Sequence, residues 1–152
     1  MDTVIRAASL LLLLLFVSGV QLAPPPRALW QFGKMISCVQ PSRNPLDYND
    51  YGCWCGFGGK GPPVDTVDSC CNTHDLCYRA SHKLPACRPL VDISYIKLYN
   101  YSCNAQVVSC TSSNDECQAA VCECDRAAAH CFALATYDPS NKNLDKRQRC
   151  TA

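Results

Sequence analysis

The sequence predicts a mainly helical, disulfide-rich single domain built on two long, mutually cross-linked helices. Three observations carry this. All fourteen cysteines lie after residue 37, a density typical of a disulfide scaffold. Cys70 and Cys77 are spaced by seven residues, as are Cys124 and Cys131, so each pair marks one face of a helix two turns long. Leu29, Phe32 and Ile36 recur at helical spacing near the start of the cysteine-bearing part. A length of 152 residues bounds the chain to one domain.

Two segments precede that domain. Arg6, the apolar run Leu10 to Val17 and the small pair Ser18-Gly19 have the order of a secretory leader. The apolar run is too short to span a bilayer, so residues 1–19 are expected to be a signal peptide. Residues 20–27 hold Pro24-Pro25-Pro26, which cannot continue a helix and leaves Arg27 in an accessible, extended strip. A short propeptide over 20–27, cut after Arg27 by a trypsin-like protease, is expected, with the folded domain at 28–152. A leader implies an oxidising, extracellular destination. An even cysteine count allows every one to pair, and a disulfide contributes ~2–4 kcal/mol. With Asp2, Arg6 and Arg27 removed, the remaining charges balance. A neutral chain argues against a nucleic-acid partner and against strong attraction to anionic membranes.

Within the domain, residues 28–38 read as a helix, with Trp30, Lys34 and Ser37 off its apolar face. Pro41 to Pro45 is turn-rich. Residues 51–63 hold most of the chain's glycines, with Cys53, Cys55 and two prolines, and form an ordered loop rather than regular structure. Asp65 is expected to cap a helix over 66–80, with Asp68 close to a capping-box position. Residues 93–110 alternate in a way that predicts a two-stranded hairpin, Tyr95, Lys97, Tyr99 and Tyr101 sharing one parity. Asn114-Asp115-Glu116 opens the second long helix, which runs to about Ala135. The tail from Tyr137 is polar and anchored by Cys150.

The chemistry gathers on Cys70-Cys71-Asn72-Thr73-His74-Asp75-Leu76-Cys77-Tyr78. If the two helices run antiparallel, one register joins Cys77 to Cys124 and Cys70 to Cys131. A parallel pairing is equally consistent with the spacing. In the antiparallel register Asp125 comes close to His74. A neutral imidazole can take a proton from water, and a carboxylate on its other nitrogen fixes the tautomer. Neither G-x-S-x-G nor H-E-x-x-H occurs, so the nucleophile is most simply water. Asp75, with carbonyls of the glycine-rich loop, is a calcium-type oxygen set, although the EF-hand spacing is absent. His82 and His130 have no partner evident and are read as packed or solvated residues.

These motifs resemble a known family. Cys70-Cys71-x-x-His74-Asp75-x-Cys77-Tyr78 is similar to the active-site signature of secreted phospholipases A2. Tyr51-Gly52-Cys53-Trp54-Cys55-Gly56-x-Gly58-Gly59 resembles their calcium loop, and Cys124-Asp125 their second signature. The segment 84–95 resembles the extra loop of the pancreatic and elapid-type group. The resemblance implies two long antiparallel helices, an N-terminal helix, a calcium loop and a small two-stranded β-wing. It implies calcium-dependent hydrolysis of the sn-2 ester of aggregated glycerophospholipid by a secreted enzyme; a monomer is expected. By the same resemblance His74 is the base and Asp125 its partner. Asp75 and the carbonyls of Trp54, Gly56 and Gly58 hold Ca2+, and Tyr78 and Tyr99 support Asp125. Leu29, Phe32 and Ile36 line the acyl channel, Tyr95 reaches the substrate phosphate, and Trp30 lies on the interfacial rim. The implied disulfides are 38–103, 53–150, 55–71, 70–131, 77–124, 87–117 and 110–122. Trp54 stands where the family commonly has tyrosine. A catalytically silent binding scaffold usually lacks the base or the calcium aspartate, and both are present. Only the cysteines speak for a protease inhibitor.

Overall fold

A computed structural model describes residues 27–87 and 97–151. The expected leader, most of the expected propeptide, and residues 93–96 of the expected hairpin, Tyr95 among them, lie outside the described residues.

Helix α1 spans Arg27–Val39, so Arg27, expected in an extended strip, is instead the first residue of the helix; it buries Met35, Ile36 and Val39. A 3-10 turn at Pro45–Tyr48 follows, capped by the Asn44 side chain, which accepts from the Leu46 N–H. Helix α2 spans Thr66–Ser81. Strands β1 (Tyr101–Asn104) and β2 (Val107–Cys110) pair antiparallel, Tyr101 opposite Cys110 and Asn104 opposite Val107. Helix α3 spans Glu116–Leu134, and a short helix α4, Lys146–Arg149, lies near the C terminus. Helices α2 and α3 lie side by side, with α1 against α3.

Seven disulfides use all fourteen cysteines, and their pairing is the one the family resemblance implied. Cys70–Cys131 and Cys77–Cys124 place α2 and α3 antiparallel. Phe132, Val121 and Val67 are fully buried around this pair, and Tyr48 stacks on Phe132 with ring centres 4.1 Å apart.

Three details differ from the sequence expectation. The first wing strand begins only at Tyr101, because the preceding backbone is held elsewhere. The Tyr99 carbonyl accepts from the Gln31 side chain at 2.7 Å, and the Asn100 N–H donates to the Asn114 side chain at 2.7 Å. The wing turn, Ala105-Gln106, takes positive φ at both residues without a glycine, a conformation usually reserved for Asn-Gly pairs. His130 does have a partner: its Nε2 accepts the Val108 N–H at 3.4 Å.

The capping pattern at α2 is only half present. Asp65 accepts the Asp68 N–H at 2.8 Å, but the fully buried Asp68 carboxylate turns away to the glycine-rich loop. It accepts the N–H groups of Cys53, Trp54 and Val64 at 2.7 to 2.9 Å. Gly52 makes this approach possible. It has φ of 57°, and a Cβ there would sit 2.4 Å from the Asp68 carboxyl carbon. The reciprocal capping box occurs instead at α3, between Asp115 and Gln118.

Asp68→Ala would leave three backbone donors without their acceptor, at ~1–3 kcal/mol for each group that stays buried. The expected outcome is a thermal unfolding midpoint lowered by several degrees. Amide exchange should be selectively faster at Cys53, Trp54 and Val64. Unchanged protection at those three amides would contradict the anchoring role.

Candidate active site

His74 sits in the middle of α2 and Asp125 in the middle of α3, between the two interhelical disulfides. The His74 Nε2 and an Asp125 carboxylate oxygen are 2.6 Å apart. Asp125 is fully buried, and the His74 side chain is 10% exposed. A carboxylate only accepts hydrogen bonds, so Nε2 carries the proton and Nδ1 keeps its lone pair. Asp125 also accepts the hydroxyls of Tyr78 and Tyr99, one on each oxygen. Burial, and then the adjacent Asp125 charge, push the Tyr99 hydroxyl far above its ordinary pKa, so it stays a donor.

Two residues of α1 complete the arrangement. Phe32 stacks on the His74 ring, with centres 4.5 Å apart and planes 21° apart. Gln31 holds both backbone polar groups of Tyr99, donating to its carbonyl and accepting its N–H. Gln31 was not singled out by the sequence, where it reads as one polar position on an amphipathic helix.

A cavity of about 250 Å³ opens onto His74. Leu29, Phe32 and Ile36 form one wall, and Trp54, Gly56 and Asp75 another. Gly58 does not reach the lining. Tyr48, Leu46, Phe57 and Phe132 also line the cavity, and sequence reasoning had not assigned them. Leu46 and Phe57 are strongly exposed, as is Trp30 on α1. Exposed apolar residues beside an apolar cavity were a signal available in the sequence only once the loops were placed.

The loop carrying Trp54 and Gly56 is held on several sides. Cys55–Cys71 ties it to α2, and Cys53–Cys150 ties it to the tail. The Trp54 indole donates to the Gly61 carbonyl at 2.9 Å. Gly59 packs so closely that a Cβ there would lie 2.5 Å from the indole. The Arg79 guanidinium lies 5.8 Å from the same ring.

Asp75 completes the inventory. Burial pushes its carboxyl above the usual value of 3.8, with the charges of His74 and Arg79 opposing the shift. Among the described residues its carboxylate accepts no hydrogen bond. A partly desolvated carboxylate that shares a cavity lining with Trp54 and Gly56 suits a hard cation. No cluster of three or more His, Cys, Asp or Glu side chains occurs among the described residues. A cation here would therefore rely on one carboxylate supplemented by main-chain oxygens.

Comparison with known proteins points to one family. The phospholipase A2 family model matches residues 29–142. A phospholipase A2 of Bos taurus is 50% identical over 135 residues, covering 88% of this chain and 93% of the bovine protein. A phospholipase A2 of Ovis aries is 52% identical over 121 residues, 79% of this chain and 98% of the ovine one. An acidic phospholipase A2, KBf-grIB, of Bungarus fasciatus is 46% identical over 134 residues, 87% of this chain and 94% of its own. Together with the helical fold and its small two-stranded sheet, these matches establish that the chain belongs to the phospholipase A2 family, ester hydrolases that act on phospholipids.

Proposed function

We propose that the chain is a secreted, calcium-dependent phospholipase A2 that cleaves the sn-2 ester of aggregated glycerophospholipids as a monomer. The observation that carries this reading is the His74–Asp125 pair, at 2.6 Å, opening onto an apolar cavity whose wall includes Asp75.

Leu29, Phe32 and Ile36 accommodate the acyl chain and exclude water from around it. The His74 Nδ1 takes a proton from a water molecule as that water attacks the ester carbonyl carbon. Asp125, already hydrogen-bonded at Nε2, stabilises the imidazolium and keeps the ring oriented. Tyr78 and Tyr99 hold Asp125 in turn. The new carbon–oxygen bond yields the fatty acid as the bond to the glycerol oxygen breaks. His74 returns its proton to that oxygen, releasing lysophospholipid. The Asp75 carboxylate, with carbonyls of Trp54, Gly56 and Gly58, would hold calcium, which would supply positive charge for the developing oxyanion. Tyr95 is assigned to the substrate phosphate. Trp30, with Leu46 and Phe57, forms the rim that meets the lipid surface.

The pre-segments belong to the same reading. Residues 1–19 direct secretion, in keeping with seven disulfides and no free cysteine. Residues 20–27 form a propeptide removed after Arg27.

The first expectation concerns hydrolysis. On micellar phospholipid, a chelator abolishes fatty-acid release. His74→Gln lowers the rate by ~10²–10⁴ at unchanged calcium affinity, measured by calorimetry. A His74→Gln protein of normal rate would sink the assignment.

Asp75 gives a second, signed expectation. Its folded pKa lies above the unfolded value, so the ionised carboxylate opposes folding at neutral pH, and this cost vanishes below the ordinary 3.8. In chelator at neutral pH, Asp75→Asn should therefore unfold at a higher temperature than the parent, with the gap closing as pH falls toward 3.8. Added calcium should raise the midpoint of the parent alone. A variant less stable than the parent in chelator contradicts this.

Third, Arg27→Gln with the propeptide retained should hydrolyse dispersed substrate but act poorly on aggregated lipid. Full activity on aggregates would refute the proenzyme reading.

A further inference from the structure

The sequence Asn100-Tyr101-Ser102 is an N-glycosylation sequon that the hydrolytic site does not use. Short sequons are common by chance, so its surroundings decide whether it could carry a glycan. Tyr99, one residue earlier, is buried with its hydroxyl on Asp125, whereas Asn100 itself is exposed.

The backbone of Asn100 is fully committed. Its N–H donates to the Asn114 Oδ1 at 2.7 Å. Its carbonyl accepts the Thr111 N–H at 3.1 Å and the Asn114 Nδ2 at 2.8 Å. The Thr111 hydroxyl approaches the same oxygen at 3.4 Å. The side-chain amide, by contrast, makes one long contact, Nδ2 to the Ser113 hydroxyl at 3.4 Å. Substituting Nδ2 would give up that contact alone and disturb nothing the wing depends on. None of residues 97–114 lines the 250 Å³ cavity.

We infer that Asn100, at the base of the β-wing, is a glycan attachment site, and that the glycan stands clear of the hydrolytic cavity. The donor is a lipid-pyrophosphate-linked oligosaccharide. The Asn100 Nδ2–C1 bond forms as the C1–oxygen bond to pyrophosphate breaks. The amide loses one proton to a base, and the lipid pyrophosphate departs. The protein would carry a bulky, solubilising group at the base of the wing, held at a fixed point because the backbone beneath it is pinned. The inference rests on reading residues 1–19 as a secretory leader.

The test expresses the full chain in a eukaryotic secretory cell, from its own leader and, in parallel, from an unrelated one. The medium protein is weighed by intact mass before and after peptide N-glycosidase. The expected result is the mass of one N-glycan, removed by the enzyme with conversion of Asn100 to aspartate. It should be absent in Asn100→Gln and Ser102→Ala and retained in Ser102→Thr. Secretion from the unrelated leader alone would refute the leader reading while still judging the sequon. Secreted protein of unmodified polypeptide mass would overturn the glycan. Rates on dispersed short-chain phospholipid should be equal before and after deglycosylation, and unequal rates would overturn its placement away from the cavity.

Discussion

The structure depends most on one buried carboxylate. Asp125 has no exposed surface, and an unpaired charge in that position would cost several kcal/mol. The cost is met by donors from separate parts of the chain. His74 and Tyr78 come from α2, and Tyr99 comes from the segment before the wing. These donors must converge on one carboxylate, so the elements carrying them cannot shift independently. Cys70–Cys131 and Cys77–Cys124 bracket the convergence and fix the register of the two helices. An imidazole held in this way has one tautomer and one orientation before any substrate arrives, which is the condition for an efficient base.

A second buried carboxylate, on α2, does a different job. Asp68 gathers the N–H groups of Cys53, Trp54 and Val64, while Asp75, two turns further on, faces the cavity beside Trp54 and Gly56. Helix α2 therefore offers one carboxylate to the donors of the loop and places another, which accepts no hydrogen bond among the described residues, on the cavity lining it shares with Trp54 and Gly56. The tail reinforces the loop. Cys150 is bonded to Cys53, and Lys146 pairs with Asp50 at 3.1 Å. Being partly exposed, that ion pair adds little by itself. The disulfide and the Asp68 hydrogen bonds carry the constraint.

What could be read from residues alone followed from periodicity. The paired seven-residue cysteine spacings put His74 near Asp125 in one of two registers, and the family resemblance chose between them. Asp75 was legible because it adjoins the base. Asp68 was read as a capping residue, since its true partners come from a loop whose path is unpredictable without the fold. Gln31 and Phe132 were invisible as site components for the same reason: their partners, Tyr99 and Tyr48, lie far away along the chain. The wing was placed too early because alternation of Tyr95, Lys97, Tyr99 and Tyr101 resembles a strand. Tertiary hydrogen bonds to Gln31 and Asn114 divert the backbone before Tyr101. Local pattern predicts an element well only where no distant group competes for its peptide hydrogen bonds.

The N-terminal helix links the two halves of this picture. Ala28, at its first turn, is 1% exposed. Gln31 lies one turn on and holds the Tyr99 backbone, and Phe32 stacks on His74. Ile36, a further turn along, forms the cavity wall. A displacement of the first turn would thus be felt at Tyr99, hence at Asp125, and at the ring of His74 itself. Adjacent Trp30 is 61% exposed on the outer side of the same turn. One short helix therefore presents an aromatic residue to the surroundings on one side and touches both members of the His74–Asp125 system on the other, His74 directly and Asp125 through Tyr99. Under the proposed proenzyme reading, this is the physical route by which the state of the chain just before Ala28 would bear on action at a lipid surface. It requires no change in the His74–Asp125 bond, only in how firmly the first turn of α1 is seated.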